Sequence, residues 1–294
     1  MRRALMVVAL CLPAVGAGQR ADLSWAGSWC IWLQAPSIDA LAQSPYDVVV
    51  IDYSHDGSAA GEFSHDDIAR LRAAGKTVLA YLSIGEAEDY RFYWKASWEP
   101  GSPAFIGEEN PDWPGNYAVK YWTSGWWSKA IEPYLDRILA AGFDGVYLDR
   151  VDAYWWWYDV GGISYRTCAN RMVTLVERIA SYARERAGDG FVVCPQNGEG
   201  ILDDAGAAYR ARWLAAIDAV GAESVFFNIW SEEDRDYRLS KLAEYDAAGK
   251  KILSIECIDE ADWGEYFGLI DATGLDMIGY PAAADMLLDE LILY

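Results

Sequence analysis

One unit recurs along the chain: an amphipathic helical stretch, a run of small residues closed by glycine, then a short β-branched strand. It is plain in IARLRAAGKTVLAYLSI, YLDRILAAGFDGVYLD and LAEYDAAGKKILSIECI, and looser in GLIDATGLDMIGYPA. Glycine adopts the left-handed conformation that ends a helix, and an apolar strand entered this way belongs in a buried parallel sheet. The rule predicts eight strands, at 30–34, 48–54, 77–84, 145–149, 191–196, 224–229, 251–256 and 276–280. Helices are expected near 37–43, 64–74, 125–141, 164–187, 204–220, 232–248, 260–272 and 282–292. Eight alternating units without a composition break predict an α/β fold, a single (β/α)8 TIM barrel over residues 18–294. A doubly wound open sheet would place a Gly-rich phosphate turn after its first strand, where CIWLQAPSIDA stands instead.

The first residues, MRRALMVVALCLPAVGAG, set Arg2 and Arg3 before an apolar run that ends in small residues. This pattern predicts a signal peptide at residues 1–17 and a secreted or periplasmic mature protein. The apolar run is shorter than the roughly 20 residues of a spanning helix, so no stable membrane anchor is expected after cleavage. Removing the two arginines takes the formal charge from −21 to −23. Such a field disfavours nucleic acid and anionic membranes as partners and suits a cationic polymer. Four cysteines remain, Cys30, Cys168, Cys194 and Cys257. Export permits disulfides, and Cys168 with Cys194 is the pairing expected.

In a barrel of this kind the chemistry stands at the carboxyl ends of the strands. The second strand ends in Asp52, Tyr53 and His55, the third runs into Glu86 and Glu88, and the fourth closes with Asp149 and Asp152. The fifth ends in PQNGE, the sixth is expected to end near Asn228 and Trp230, the seventh in Glu256 and the eighth in Tyr280. If Asp149 faces the barrel axis, strand alternation turns Tyr147 the same way. Glu199, after Gln196, Asn197 and Gly198, is the matching carboxylate on the neighbouring strand, and Glu256 is its rival. Two such groups are what glycoside hydrolysis needs, one to protonate the leaving oxygen and one to attack or to activate water. Trp94, Trp113, Trp122, Trp155, Trp156, Trp157 and Trp230 fall in or near the same segments, where indole faces stack on sugars or bury one another. Asp52, Tyr81, Glu86, Asp152, Trp155, Asn197, Trp230, Glu256 and Tyr280 are expected to contact substrate. Two histidines cannot build a three-His zinc site, and neither a nucleophile elbow nor a Walker loop is present, so no metal or cofactor is expected.

The segments VVVIDYSHDGS, VLAYLSIGEAEDYRFYW, NPDWPGNYAVKYW, GFDGVYLDRVDAY and CPQNGE, in this order, resemble the endo-α-1,4-polygalactosaminidase family, glycoside hydrolase family 114, and its secreted bacterial relatives. The resemblance implies a (β/α)8 barrel and a catalytic pair formed by an Asp closing the fourth strand and a Glu after the fifth, which fall on Asp149 and Glu199. Arg150 stands where the characterised hydrolases carry Asn. The expected function is hydrolysis of an amino-sugar polysaccharide, most simply α-1,4-linked galactosamine. The alternatives are a non-catalytic polysaccharide-binding barrel and a glycosidase using Asp149 with Glu256 on another glycan.

Overall fold

The glycines end their helices as the repeated unit predicts. In the computed structural model, which describes residues 20–294, Gly75, Gly142, Gly249 and Gly274 have φ of 84°, 86°, 71° and 66°. Each hands a helix to a buried strand. The expected signal peptide, 1–17, lies outside the described residues.

The chain runs β1 (Trp29–Trp32), α1 (Ile38–Gln43), β2 (Val48–Ile51), α2 (His65–Ala73) and β3 (Thr77–Ser83). An insertion then carries β4 (Glu86–Glu88), β5 (Ile106–Glu109) and β6 (Asn116–Val119). Next, α3 (Ser124–Trp126) passes through a π-turn (Trp127–Ile131) into α4 (Glu132–Ala141). After these come β7 (Gly145–Asp149), α5 (Ala153–Gly161), α6 (Tyr165–Ala187), β8 (Val192–Pro195), α7 (Ile201–Asp204) and α8 (Ala207–Ala216). The last elements are β9 (Ala219–Glu223), α9 (Glu232–Ala247), β10 (Lys251–Cys257), α10 (Trp263–Thr273) and β11 (Met277–Ala282). Parallel pairing runs β1-β2-β3-β7-β8 and β9-β10-β11, joined by a bridge between Gln196 and Gly221. Eight parallel strands with helices outside them form the barrel.

Its interior is filled by large rings. Trp29 stacks on Tyr147 at 5.9 Å and meets Tyr280 at 6.0 Å. No ladder joins β11 to β1 among the described residues. The Trp29 indole spans that seam, donating to the carbonyls of Ser254 and Ile278 at 3.1 Å each.

Three expectations are corrected. The sixth strand is Ala219–Glu223 and not 224–229. The VFFNI run has the higher β propensity, yet the ladder uses small residues because Tyr147 crosses the interior here, and a Cβ on Gly221 would collide with its hydroxyl. The helix expected at 282–292 is absent. Instead an extended strap runs down the seam: Leu33 N–H donates to Leu288 O (2.8 Å), Gln34 Nε2 to Leu287 O (2.7 Å), and Tyr46 Oη to Ile292 O. The Cys168–Cys194 disulfide is also absent, and all four cysteines are free and buried. Cys194 pairs in register with Tyr147 and so faces the barrel axis, whereas Cys168 sits on the outer helix α6.

The insertion is an ordered sheet, as the long aromatic connection predicts. β6 pairs antiparallel with both β4 and β5. A buried ion cluster fixes it to the barrel: Arg91 pairs with Asp52 at 2.6 Å and with Glu88 at 2.7 Å.

Candidate active site

Asp149 closes β7 and faces the axis, in register with Ser83 and one pleat above Tyr147. Its Oδ2 accepts the Tyr81 hydroxyl at 2.6 Å and its Oδ1 accepts the Arg150 N–H at 2.7 Å. Burial holds the carboxyl above its ordinary range, and the Tyr81 hydrogen bond and the Arg150 charge oppose that rise. The turn beyond is tight. Arg150 has a φ of 59°, and Gly85 packs so closely on the Arg150 carbonyl that a side chain could not fit. The Arg150 guanidinium reaches Glu86 at 2.9 Å and Asp152 at 3.5 Å. Asn110 Nδ2 gives Glu86 a second bond at 3.0 Å.

Beyond β8 the chain turns through Asn197 and Gly198, with φ of 56° and 70°, to present Glu199. Glu199 is ion-paired with Arg238 of α9 at 2.7 Å. The same guanidinium reaches Asn197 Oδ1 and the carbonyls of Glu223 and Ser224, tying the ends of β8 and β9 together.

Glu223 closes β9 and is the residue that the sequence reading missed. Gln196 Nε2 donates to its Oε2 at 2.9 Å. Burial and the charge of Asp149 raise its carboxyl above the ordinary range, so the two acids share one field. The signal was present in AVGAE, a short small-residue run placed directly after a helix.

Glu199, Glu223, Asn197, Asp152 and Arg238 line a cleft of about 1070 Å³, and Asp149 is not among its lining residues. Its walls include five carboxylates, Asp152, Asp159, Glu199, Glu223 and Asp234, with Arg238 as the lone cation. Trp155 and Trp230 also line it, the latter 94% exposed. Trp113 and Trp156 are exposed too, but Trp157 is buried, and Trp94 stacks on Tyr117 at 4.8 Å. The tryptophans thus divide between free faces and packing.

Three expected contacts lie elsewhere. Asp52 is committed to Arg91 beneath the insertion. Glu256 is fully buried and accepts the backbone N–H groups of Val225, Phe226 and Phe227 at 2.7, 2.8 and 3.3 Å, which commits the expected rival carboxylate to organising a loop. Tyr280 is buried in the seam, its hydroxyl accepting from Ile292 N–H at 3.0 Å. Among the described residues, no His, Cys, Asp and Glu cluster is placed to hold a metal ion, and no helix is long and apolar enough to cross a membrane.

The model of glycoside-hydrolase family GH114 matches residues 14–278. An uncharacterized protein of Thermotoga maritima is 39% identical over 276 residues, covering 90% of this chain and 83% of that one. An uncharacterized protein of Methanocaldococcus jannaschii is 38% identical over 235 residues, 79% of this chain and 66% of its relative. Among solved structures, Aspergillus fumigatus Ega3 complexed with galactosamine superposes with a TM-score of 0.67 at 17% identity, covering 92% of this chain and 97% of that one. The glycoside hydrolase domain of PelA from Pseudomonas aeruginosa gives 0.63 at 16%, covering 90% and 97%. At these identities the two structures bear on the fold, and both share the barrel.

Proposed function

The chain belongs to glycoside-hydrolase family GH114, and from that premise we propose that it hydrolyses an amino-sugar polysaccharide, most simply α-1,4-linked galactosamine, after export from the cell. The observation that carries the substrate class is the cleft: five carboxylates against one arginine, beside exposed indole faces. A protonated amine on the sugar ring is drawn to such a wall, and the apolar face of the ring stacks on Trp155 or Trp230. The galactosamine bound to Ega3 supports the same class.

Hydrolysis uses Asp149 and Glu199 as the carboxyl pair, one protonating the leaving oxygen and the other attacking the anomeric carbon or activating water. Tyr81 and Arg150 fix Asp149, and Arg238 fixes Glu199. A second reading pairs Asp149 with Glu223, favoured by the field these two acids share.

The test is cleavage of partly deacetylated amino-glycans by the purified protein, with the products sized. Asp149→Asn and Glu199→Gln keep the shape of the site but remove a charge and a transferable proton, so each should lower turnover by at least about 10²-fold. If Glu223→Gln abolishes turnover while Glu199→Gln spares it, the second reading replaces the first. A parent protein that cleaves no amino-glycan between about pH 4 and 8, the range over which carboxyl acid–base catalysts titrate, defeats both and leaves a polysaccharide-binding barrel.

A further inference from the structure

The arginines are unevenly partnered. Of the fifteen described, twelve are ion-paired, and the three that are not, Arg166, Arg171 and Arg178, all stand on α6. Two of these, Arg171 and Arg178, line a second cleft of about 370 Å³ on the barrel flank, between the end of the insertion, α6 and α8. No Asp or Glu lines it. In a chain with 45 acidic residues against 24 Lys and Arg, an acid-free wall holding two unpaired guanidiniums calls for a ligand that brings the negative charge.

Both guanidiniums are held in place. The Cζ of Arg171 lies 4.4 Å from the Trp122 ring centroid, and that of Arg178 lies 3.7 Å from the Trp127 ring centroid. Stacking covers a guanidinium face and leaves its in-plane N–H donors for an oxyanion. Packing of surface arginines on indoles would account for the stacking alone. It accounts neither for the missing acids nor for Arg171 Nη1, which is buried without an acceptor.

With both indoles covered by guanidinium, the cleft is a poor stacking platform for a neutral sugar. Its remaining polar atoms extend the donor set. Asn170 spends its Oδ1 on Gly206 N–H at 2.9 Å and keeps its amide N–H groups, and Tyr209 adds a hydroxyl. Arg171 and Arg178 are seven residues apart, about 10 Å along the helix axis. One carboxylate cannot bridge that span, whereas it is close to the length of a disaccharide unit. We propose that this flank cleft binds an acidic oligosaccharide, one carboxylate to each of Arg171 and Arg178. The site does not depend on the reaction proposed above. Tyr165 lines the catalytic cleft and Thr167 lines this one, so two clefts of opposite charge preference share the first turn of α6.

Calorimetric titration of the full chain with short oligogalacturonates, free galacturonate and neutral galacto-oligosaccharides tests it. The oligogalacturonates should bind saturably and lose affinity as salt is added. Free galacturonate, which engages one guanidinium at a time, should bind about tenfold more weakly or worse, and the neutral oligomers should not bind. Thr174 is exposed and lies between the two arginines. Thr174→Glu therefore sets a carboxylate within helical reach of both without removing either, halving their net charge and competing with the ligand's carboxylates, and should weaken binding at least tenfold while amino-glycan cleavage and thermal unfolding stay unchanged. Arg178→Gln, at another exposed position, should weaken binding by about tenfold or more. The proposal is overturned if oligogalacturonates do not bind, if neutral oligomers compete equally, or if Thr174→Glu binds like the parent. It is also overturned if the parent self-associates and Thr174→Glu dissolves the assembly, since the cleft would then hold a second copy.

Discussion

Tyr81 is the side chain that most directly opposes the effect of burial on Asp149. Burial raises the carboxyl, and the 2.6 Å hydroxyl bond is the strongest influence pulling it back. Tyr81→Phe should therefore push Asp149 further up, so the limb of the pH–rate profile set by Asp149 moves to higher pH and kcat falls by about tenfold, the worth of one charged hydrogen bond. A limb that stays in place while kcat falls would reduce Tyr81 to packing. At this scale the sequence was legible in position, with Asp149 closing β7 and Glu199 following the turn after β8. It misled where the partner of a polar residue lies far along the chain. Asp52 reads like a mouth residue until Arg91, thirty-nine residues on, takes it. Glu223 stayed hidden because its strand is short and made of small residues, among them Gly221, where the Tyr147 hydroxyl leaves no room for a side chain.

The loop after β9 is held by one buried acid. Glu256 accepts three consecutive N–H groups, and this is why VFFNI, although rich in β-formers, leaves the ladder. Burial raises its carboxyl from 4.5 to about 7, against the pull of those N–H groups. A carboxyl whose folded value lies above its unfolded value binds its proton more tightly in the folded state. Its contribution to stability is thus present below pH 4.5 and is lost as pH rises to about 7. Glu256→Gln cannot titrate, and its amide N–H opposes one of the backbone donors, costing about 1–3 kcal/mol at low pH. The gap between parent and variant should then narrow by on the order of 3 kcal/mol as pH rises through this window. Urea unfolding at several pH values measures it, and a gap that is constant or widens with pH would show that Glu256 keeps an ordinary carboxyl in the fold. Propensity alone could not place this loop, because the group that bends it belongs to the next strand.

At the scale of the molecule, the repeated glycine-punctuated unit predicted the barrel, and the barrel departs from it at the sixth strand and at its closure. Seven strands receive helices, while the eighth receives the strap, whose hydrophobic LLDELILY reads equally well as a helix. What decides between them is the seam. Without a β11–β1 ladder, Tyr46, Tyr280 and Tyr294 pack there, with Tyr46 on Tyr280 at 5.7 Å and Tyr294 donating to Gly279 O at 2.7 Å. An extended chain can supply backbone groups to both sides of such a gap, and a helix, whose own groups are paired, cannot. Removing residues 286–294 would therefore act on the closure of the whole barrel. It deletes the bonds to Leu33, Gln34 (two), Tyr46, Tyr280 and Gly279, about six in all at about 1 kcal/mol each, so the unfolding temperature should fall by roughly 10 °C or more. Tyr46→Phe, which removes one of these bonds and keeps the ring, should lower it by about 2–4 °C. Calorimetry on both variants checks this. A truncated chain that melts within a degree or two of the parent would mean that Trp29 and its two carbonyl bonds close the barrel unaided.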